Sequence, residues 1–202
     1  MDEPISNLDA KLRESTRIEI KKMLRRFKVT TLYVTHDQQE AIFMGDRIAV
    51  MRKGKIEQIG TFDDLYYSPA NLFVATFIGS PPMTIIPVKN QSRTLIVEDG
   101  GSFDMPSDIV GAGTYKFGVR PEGWVLDDAQ GVVMPVRHIE RIPTEQAAFL
   151  HGTIAGQNVT VLAPLDYSDV PEIRIAPNWE QVYFFDAVDG TVIHTPGIPE
   201  LF

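Results

Sequence analysis

Asp2, Glu3, Ser6, Asp9 and His36 are the residues of this sequence whose types and spacing suit phosphate chemistry. Asp2 and Glu3 form an acidic pair closed by Pro4. Ser6-Asn7-Leu8-Asp9 is a polar turn, and Thr35-His36-Asp37 ends a β-rich run, Thr31-Leu32-Tyr33-Val34-Thr35. One carboxylate of such a pair can hold Mg²⁺, largely through water, because magnesium keeps much of its hydration shell. The other can polarise an attacking water. A histidine at a strand end can sense a terminal phosphate, since ligands of open α/β sheets bind beyond the carboxyl ends of strands. Taken singly, the same residues read more simply. An Asp-Glu pair is commonly a solvated turn and a histidine after a strand a structural residue, and only context separates the two readings.

The elements around these residues alternate between helix and strand. Leu12, Ile20, Met23, Leu24 and Phe27 recur at helical spacing, which predicts a long helix with Asp9 as its N-cap. Thr31–Thr35 reads as a strand, and Asp37 opens a second helix, Gln38 to Met44, with Gly45 as its stop. Ile48–Met51, the Lys53-Gly54 turn and Lys55–Ile59 read as a hairpin. Thr61 and Asn71 then cap two short helices. The basic run from Lys21 to Lys28 reads as the solvated side of an amphipathic helix rather than a reader of anions.

Gly79-Ser80-Pro81-Pro82 breaks this pattern, and short strands follow. They are predicted at Ile85–Val88, Thr94–Val97, Tyr115–Val119, Val132–Ile139, Glu145–His151, Asn158–Leu162, Gln181–Phe185 and Thr191–Ile193, with turns at Gly100-Gly101, Asp166–Pro171 and Asp189-Gly190. Many short strands at regular spacing suggest a small barrel or sandwich. Charge breaks at the same place. Residues 1–80 carry 12 Lys/Arg and 11 Asp/Glu, residues 81–202 carry 7 and 16, and the whole chain is at −8. The acidic half excludes nucleic acid as its natural partner, because neutralising phosphates needs a basic face.

The chain contains no cysteine, so a disulfide framework, a Cys-ligated zinc and a thiol nucleophile are ruled out. No apolar run reaches the roughly 18 residues of a membrane span, and the start lacks the basic and apolar regions of a signal peptide, so the cytoplasm is the expected compartment. His138, His151 and His194 have no metal-ligand spacing, and Trp124, Trp179, Phe184 and Phe185 read as core or interface aromatics. Arg120, before Pro121-Glu122, reads as a structural turn with a local ion pair.

Taken together, the ordered motifs resemble the C-terminal part of the nucleotide-binding domain of ABC transporters, in the branch of bacterial sugar importers of the maltose/glycerol-phosphate type. Asp2-Glu3-Pro4 is similar to the end of that family's Walker B motif, Ser6-Asn7-Leu8-Asp9 to its D-loop and Thr35-His36-Asp37 to its H-loop. Tyr33–Gln38, Ser68-Pro69-Ala70-Asn71 and Phe77-Ile78-Gly79-Ser80-Pro81 also resemble the importer branch, as Gly118-Val119-Arg120-Pro121-Glu122 resembles its regulatory extension. The resemblance implies an α/β fragment of a P-loop NTPase domain over residues 1–80. An all-β, OB-fold-like, transport-associated (TOBE) regulatory domain would occupy residues 81–202. It further implies ATP and Mg²⁺ as cofactors in the full subunit. Asp2 would be the Mg²⁺-associated carboxylate and Glu3 the general base or water-orienting group. His36 would contact the γ-phosphate, and Ser6 and Asp9 would lie at a homodimer interface. Transmembrane permease subunits, a solute-binding protein and a regulatory protein are the implied partners, with the chain peripheral at the inner face of the membrane.

The sequence departs from the family in one respect. It holds no G-x-x-x-x-G-K-[ST] phosphate cradle and no LSGGQ signature; its single Gly-Lys, Gly54-Lys55, lies in the hairpin. The resemblance therefore implies a C-terminal piece of a longer subunit that neither binds nor hydrolyses ATP alone, and that leaves an apolar face of the Leu12–Phe27 helix uncovered. The alternative is a stand-alone β-rich dimerisation or regulatory module without ATPase activity.

Overall fold

The structure is a computed structural model that describes residues 1–98 and 101–197. By packing, the chain divides into two compact units, Met1–Asp63 and Asp64–Phe202.

The first unit contains α1 (Ala10–Phe27), α2 (Gln38–Met44), β1 (Ile48–Arg52) and β2 (Lys55–Gly60), and the division falls within α3 (Phe62–Tyr67). Asp9 caps α1 by accepting from the Leu12 N–H at 2.9 Å. The helix buries none of its residues: Leu12, Met23 and Phe27 remain about half exposed or more. The uncovered apolar face expected from the sequence is thus present. The basic residues are not purely solvated, however. The Arg17 guanidinium and the Lys21 ammonium stand 4.6 and 4.7 Å from the ring centroid of Phe43 on α2, and Lys21 donates to the Phe43 carbonyl. β1 and β2 form the expected hairpin, with Lys53 (φ 49°) and Gly54 (φ 74°) both left-handed, the arrangement a tight two-residue turn requires. Thr31–Thr35 does not form the predicted strand. A strand needs a ladder, and among the described residues the backbone of this run pairs with Met1–Glu3 through one parallel bridge, between Asp2 and Val34.

The second unit carries the remainder of α3, then α4 (Leu72–Phe77), β3 (Thr84–Gln91), β4 (Thr94–Val97), β5 (Gly101–Asp104), β6 (Gly113–Val119), β7 (Trp124–Leu126), β8 (Val132–Ile142), β9 (Ala147–Ile154), β10 (Gln157–Pro164), β11 (Glu172–Pro177), β12 (Val182–Asp186) and β13 (Val192–His194). These strands form two antiparallel sheets, ordered β10-β9-β8-β11-β7 and β13-β12-β6-β3-β4-β5. One core lies between them, with Ile86, Phe117 and Phe184 from one sheet and Met134, Leu150, Val161 and Ile175 from the other. Full burial of each such phenylalanine contributes about 2–3 kcal/mol. The unit is therefore β-rich and double-layered. The predicted strand at Glu145 starts later, because Pro143–Glu145 form a 3-10 turn and Gln146 is left-handed. Gly100 of the predicted Gly100-Gly101 turn lies outside the described residues, and Gly101 begins β5.

Residues 64–80 pack with this unit despite their helical composition. Leu72 and Ala75 join Met83, Tyr183 and Phe185 in a second small core on the outer face of the six-stranded sheet. Arg120, only 2 % exposed, fastens the segment. Its Nη1 donates to the Ile78 carbonyl at 2.8 Å, its Nη2 to the Tyr66 carbonyl at 2.7 Å, and its guanidinium lies 3.6 Å from the Tyr66 ring centroid. The expected ion pair with Glu122 is not formed: Glu122 instead accepts from the Tyr66 hydroxyl at 2.7 Å, and carbonyls at the ends of α3 and α4 take the guanidinium, where helix dipoles favour a cation.

Candidate functional site

The residues singled out for phosphate chemistry all lie in the first unit. Backbone pairing brings the two ends of the site together. The Val34 N–H donates to the Met1 carbonyl and the Glu3 N–H to the Val34 carbonyl, each at 2.9 Å. This sets Glu3 beside His36 across 33 positions of sequence, and Glu3 Oε1 lies 2.9 Å from His36 Nδ1. Glu3 has a left-handed backbone, φ 41°, a conformation that non-glycine residues seldom adopt and that is found disproportionately at functional sites. Both side chains are open to solvent. The hydrogen bond to Glu3, followed by the attraction of its charge, raises the His36 pKa above 6.5 and favours the imidazolium.

The His36 turn is held from behind by residues the sequence reading did not single out. Glu40, 5 % exposed, accepts from the Tyr33 hydroxyl on Oε1 and from the Thr35 hydroxyl on Oε2. Burial, then the Glu40 bond, pushes the Tyr33 phenol well up. Thr35 Oγ1 also accepts from the Asp37 N–H at 3.0 Å, while Asp37 caps α2 by accepting from the Gln39 and Glu40 N–H groups. Tyr33, Thr35, Asp37 and Glu40 thus fix the chain on both sides of His36. A signal for them was available. Tyr33 and Thr35 share one face of an extended run, and Glu40 sits three residues after the Asp37 cap, where a capping-box acid would stand.

Ser6 folds back on the pair: its N–H and hydroxyl both donate to the Glu3 carbonyl, at 3.3 and 3.1 Å. Arg13 Nη2 donates to the Ser6 and Leu8 carbonyls at 3.2 and 2.9 Å and ties this turn to α1. Asp9 is used as the α1 cap. The structure thus gathers Glu3, Ser6 and His36, pairs Asp2 with Val34 through backbone only, and places Asp9 at the next helix start. Among the described residues, no three His, Asp or Glu side chains stand together as a metal cage. Asp2 offers a single hard oxygen donor, which suits a magnesium ion held mainly by water and phosphate oxygens.

Comparison with models of protein families gave no match. Individual relatives are clear. The chain is 41% identical over 192 residues to the sn-glycerol-3-phosphate import ATP-binding protein UgpC of Jannaschia sp. (strain CCS1), covering 94% of this chain and 54% of the relative. It is 46% identical over 158 residues to the protein of the same name from Roseobacter denitrificans, covering 77% of this chain and 42% of that one. To that of Yersinia pestis bv. Antiqua it is 43% identical over 200 residues, covering 94% and 54%. The chain spans about half the length of the curated relatives it matches, and the match is to their C-terminal part. This chain belongs to the family of ABC-importer ATP-binding subunits.

Proposed function

We propose that the chain works as part of the ATP-binding subunit of an importer for sn-glycerol 3-phosphate, a sugar or a related solute. Glu3 and His36 would act on the attacking water and the terminal phosphate. The observation that carries this reading is the 2.9 Å contact between Glu3 Oε1 and His36 Nδ1, which joins the two residues the family motifs single out. Bound MgATP supplies the phosphoryl group and the metal's charge neutralisation, with Asp2 as the carboxylate that would hold the ion through water. Glu3 uses Oε1 to hold His36, which leaves Oε2 to orient a water and take its proton. Glu3 favours the imidazolium form of His36, and the contact through Nδ1 leaves Nε2 as a donor for a phosphate oxygen. Ser6 and Asp9 form the D-loop at a homodimer interface, and the β-rich unit is the OB-like, transport-associated regulatory domain. Permease subunits, a solute-binding protein and a regulatory protein complete the assembly, with the chain at the inner face of the membrane. No helix among the described residues is long and apolar enough to cross it.

The experiment is a chimera in which this chain replaces the matching C-terminal part of the Yersinia pestis relative. ATP hydrolysis by the chimera, lowered roughly a hundredfold or more by Glu3→Gln and strongly reduced by His36→Ala, supports the reading; hydrolysis indifferent to both overturns it.

A second reading, a β-rich dimerisation or regulatory module without ATPase activity, is favoured by the self-contained core of the second unit beside an α1 that buries nothing. Titration of the 202-residue chain with MgATP bears on it directly. The sequence holds no phosphate cradle, so the expected result is no saturable binding at micromolar nucleotide, and micromolar affinity would exclude the module reading.

A further inference from the structure

The outer face of the five-stranded sheet carries a histidine pair that spacing along the chain does not reveal. β9 lies between β10 and β8. Leu150 and Val161 enter the inter-sheet core, so their neighbours His151 and Thr160 point to the opposite face. Uninterrupted pairing onward from Val136 and Gly152 would set Arg137 opposite His151. The register shifts instead between Val136 and His138, and His138 becomes the partner of His151. This bulge keeps Val136 and Ile139 against the core while it re-aims His138 and Glu140 outward. The two imidazoles stand 5.9 Å apart between centroids and lie within 14° of parallel. His151 is held from both sides: its Nδ1 is 3.2 Å from Thr160 Oγ1 and its Nε2 is 3.4 Å from Glu140 Oε2.

We propose that His138 and His151 bind one divalent transition-metal ion, zinc or a metal of similar ligand preference, across β8 and β9. Neutral imidazole suits zinc, copper and nickel, whereas magnesium and calcium prefer oxygen. With the Nδ1 proton of His151 donated to Thr160, Nε2 keeps its lone pair; outer partners of this kind commonly fix a metal-binding histidine. Glu140 stands on the side of that same nitrogen, where its carboxylate offsets the charge of the ion. An ion about 2.0–2.1 Å from one nitrogen of each ring bridges the pair once the exposed His138 ring turns toward Nε2 of His151. No group of three His, Asp or Glu forms a cage among the described residues, so water fills the positions that the two imidazoles leave, and the ion stays exchangeable. Bound there, it ties β8 to β9 and stabilises the folded chain by mass action. A surface ion pair between His151 and Glu140 would need one histidine only, and leaves the re-aimed His138 without a role. The site lies in the second unit, and its test does not depend on ATP.

The test is calorimetric titration of the 202-residue chain with zinc chloride, with magnesium chloride as the oxygen-preferring control. It is run in a His36→Gln background, which removes the other close imidazole–carboxylate pair. Expected are saturable binding of zinc with a dissociation constant of about 100 μM or below and no saturable binding of magnesium at this site. His138→Gln and His151→Gln should each weaken zinc binding about tenfold or more, and His194→Gln should leave it unchanged. Circular dichroism checks their folds; if His151→Gln fails to fold, His138→Gln, at an exposed position, carries the test. NMR of the imidazole nitrogens locates the ion: zinc should shift the resonances of His138 and His151 and leave those of His194 in place. Zinc should also raise the thermal midpoint of the parent and not that of the two variants. No saturation with zinc, no shift of these two rings, or undiminished binding by a folded His138→Gln would overturn the proposal.

Discussion

Glu3 Oε1 and His36 Nδ1 meet at 2.9 Å although 33 positions separate them, and the contact rests on two backbone hydrogen bonds between Met1–Glu3 and Val34. Both side chains are exposed, so the pair adds little to stability; exposed ion pairs rarely do. Its consequence is positional. It sets which imidazole nitrogen is engaged and leaves the other for a substrate.

The first prediction concerns His36 titration. The Glu3 bond raises its pKa above 6.5. A folded pKa above the unfolded one means that the pair's contribution is complete below the unfolded value and is lost as pH rises through the folded value. Glu3→Gln should return the His36 midpoint toward 6.5. NMR of the imidazole protons measures this, and an identical midpoint in the variant would show that the two groups do not interact in solution.

A second prediction tests what holds the turn. Glu40→Leu leaves the half-buried Tyr33 and Thr35 hydroxyls without their acceptor, which should cost about 1–2 kcal/mol. Glu40→Gln retains one acceptor oxygen and should cost less. Urea unfolding gives both values. A Leu variant as stable as the parent would mean that the network does not brace His36.

How much of this was legible in the sequence depended on whether a residue's partner is local. Asp9, Asp37 and Asn71 cap helices as read, because each bonds an N–H two or three residues ahead. The Lys53-Gly54 and Asp189-Gly190 turns were equally local. Thr31–Thr35 misled, since β-propensity states what a run can do and not whether a neighbouring strand exists. β11 is not evident from the sequence because Pro171 precedes it and Pro177 is its last residue; it is a strand through register with β8 and β7, far away in sequence. Arg120 looked like half of an ion pair with Glu122, but its partners are the Tyr66 and Ile78 carbonyls, 54 and 42 positions away. In the candidate site, motif order singled out Glu3 and His36, whereas the supporting Glu40 emerged only from burial.

The third prediction follows from that arginine. Arg120→Met should destabilise the β-rich unit by about 2–3 kcal/mol, since it strips two carbonyls of a charged donor. Arg120→Lys should recover only part, because one ammonium cannot span both carbonyls and lie flat on the Tyr66 ring. Limited proteolysis within residues 64–80 should accelerate in both. Unchanged cleavage would mean that the segment is held mainly by its apolar contacts.

Gly79 supplies a fourth. Its φ of +117° is unfavourable for an L side chain, and an added Cβ would stand 3.0 Å from Arg120 Nη1 and 3.3 Å from the Tyr66 ring. Gly79→Ala should therefore destabilise by about 1–2 kcal/mol. Because both substitutions act on one cluster, the Gly79→Ala/Arg120→Met double variant should lose less than the two singles together. Strict additivity in thermal unfolding would separate glycine from the Arg120 clasp.

Asp9 carries a fifth, because two roles converge on it. It caps α1 in the structure, and the proposed function also places it at a dimer interface. Asp9→Ala removes the acceptor for the Leu12 N–H and should cost about 1 kcal/mol, with a loss of helical circular dichroism. Asn is as good a cap as Asp, so Asp9→Asn should leave α1 intact while removing the charge. If Asp9 only caps, the chimera bearing Asp9→Asn should hydrolyse ATP like its parent. If its charge also serves the interface, that chimera should lose hydrolysis or dimerisation with its helix content unchanged. Because the Asn variant separates charge from capping, a drop in activity there cannot be attributed to an unfolded α1.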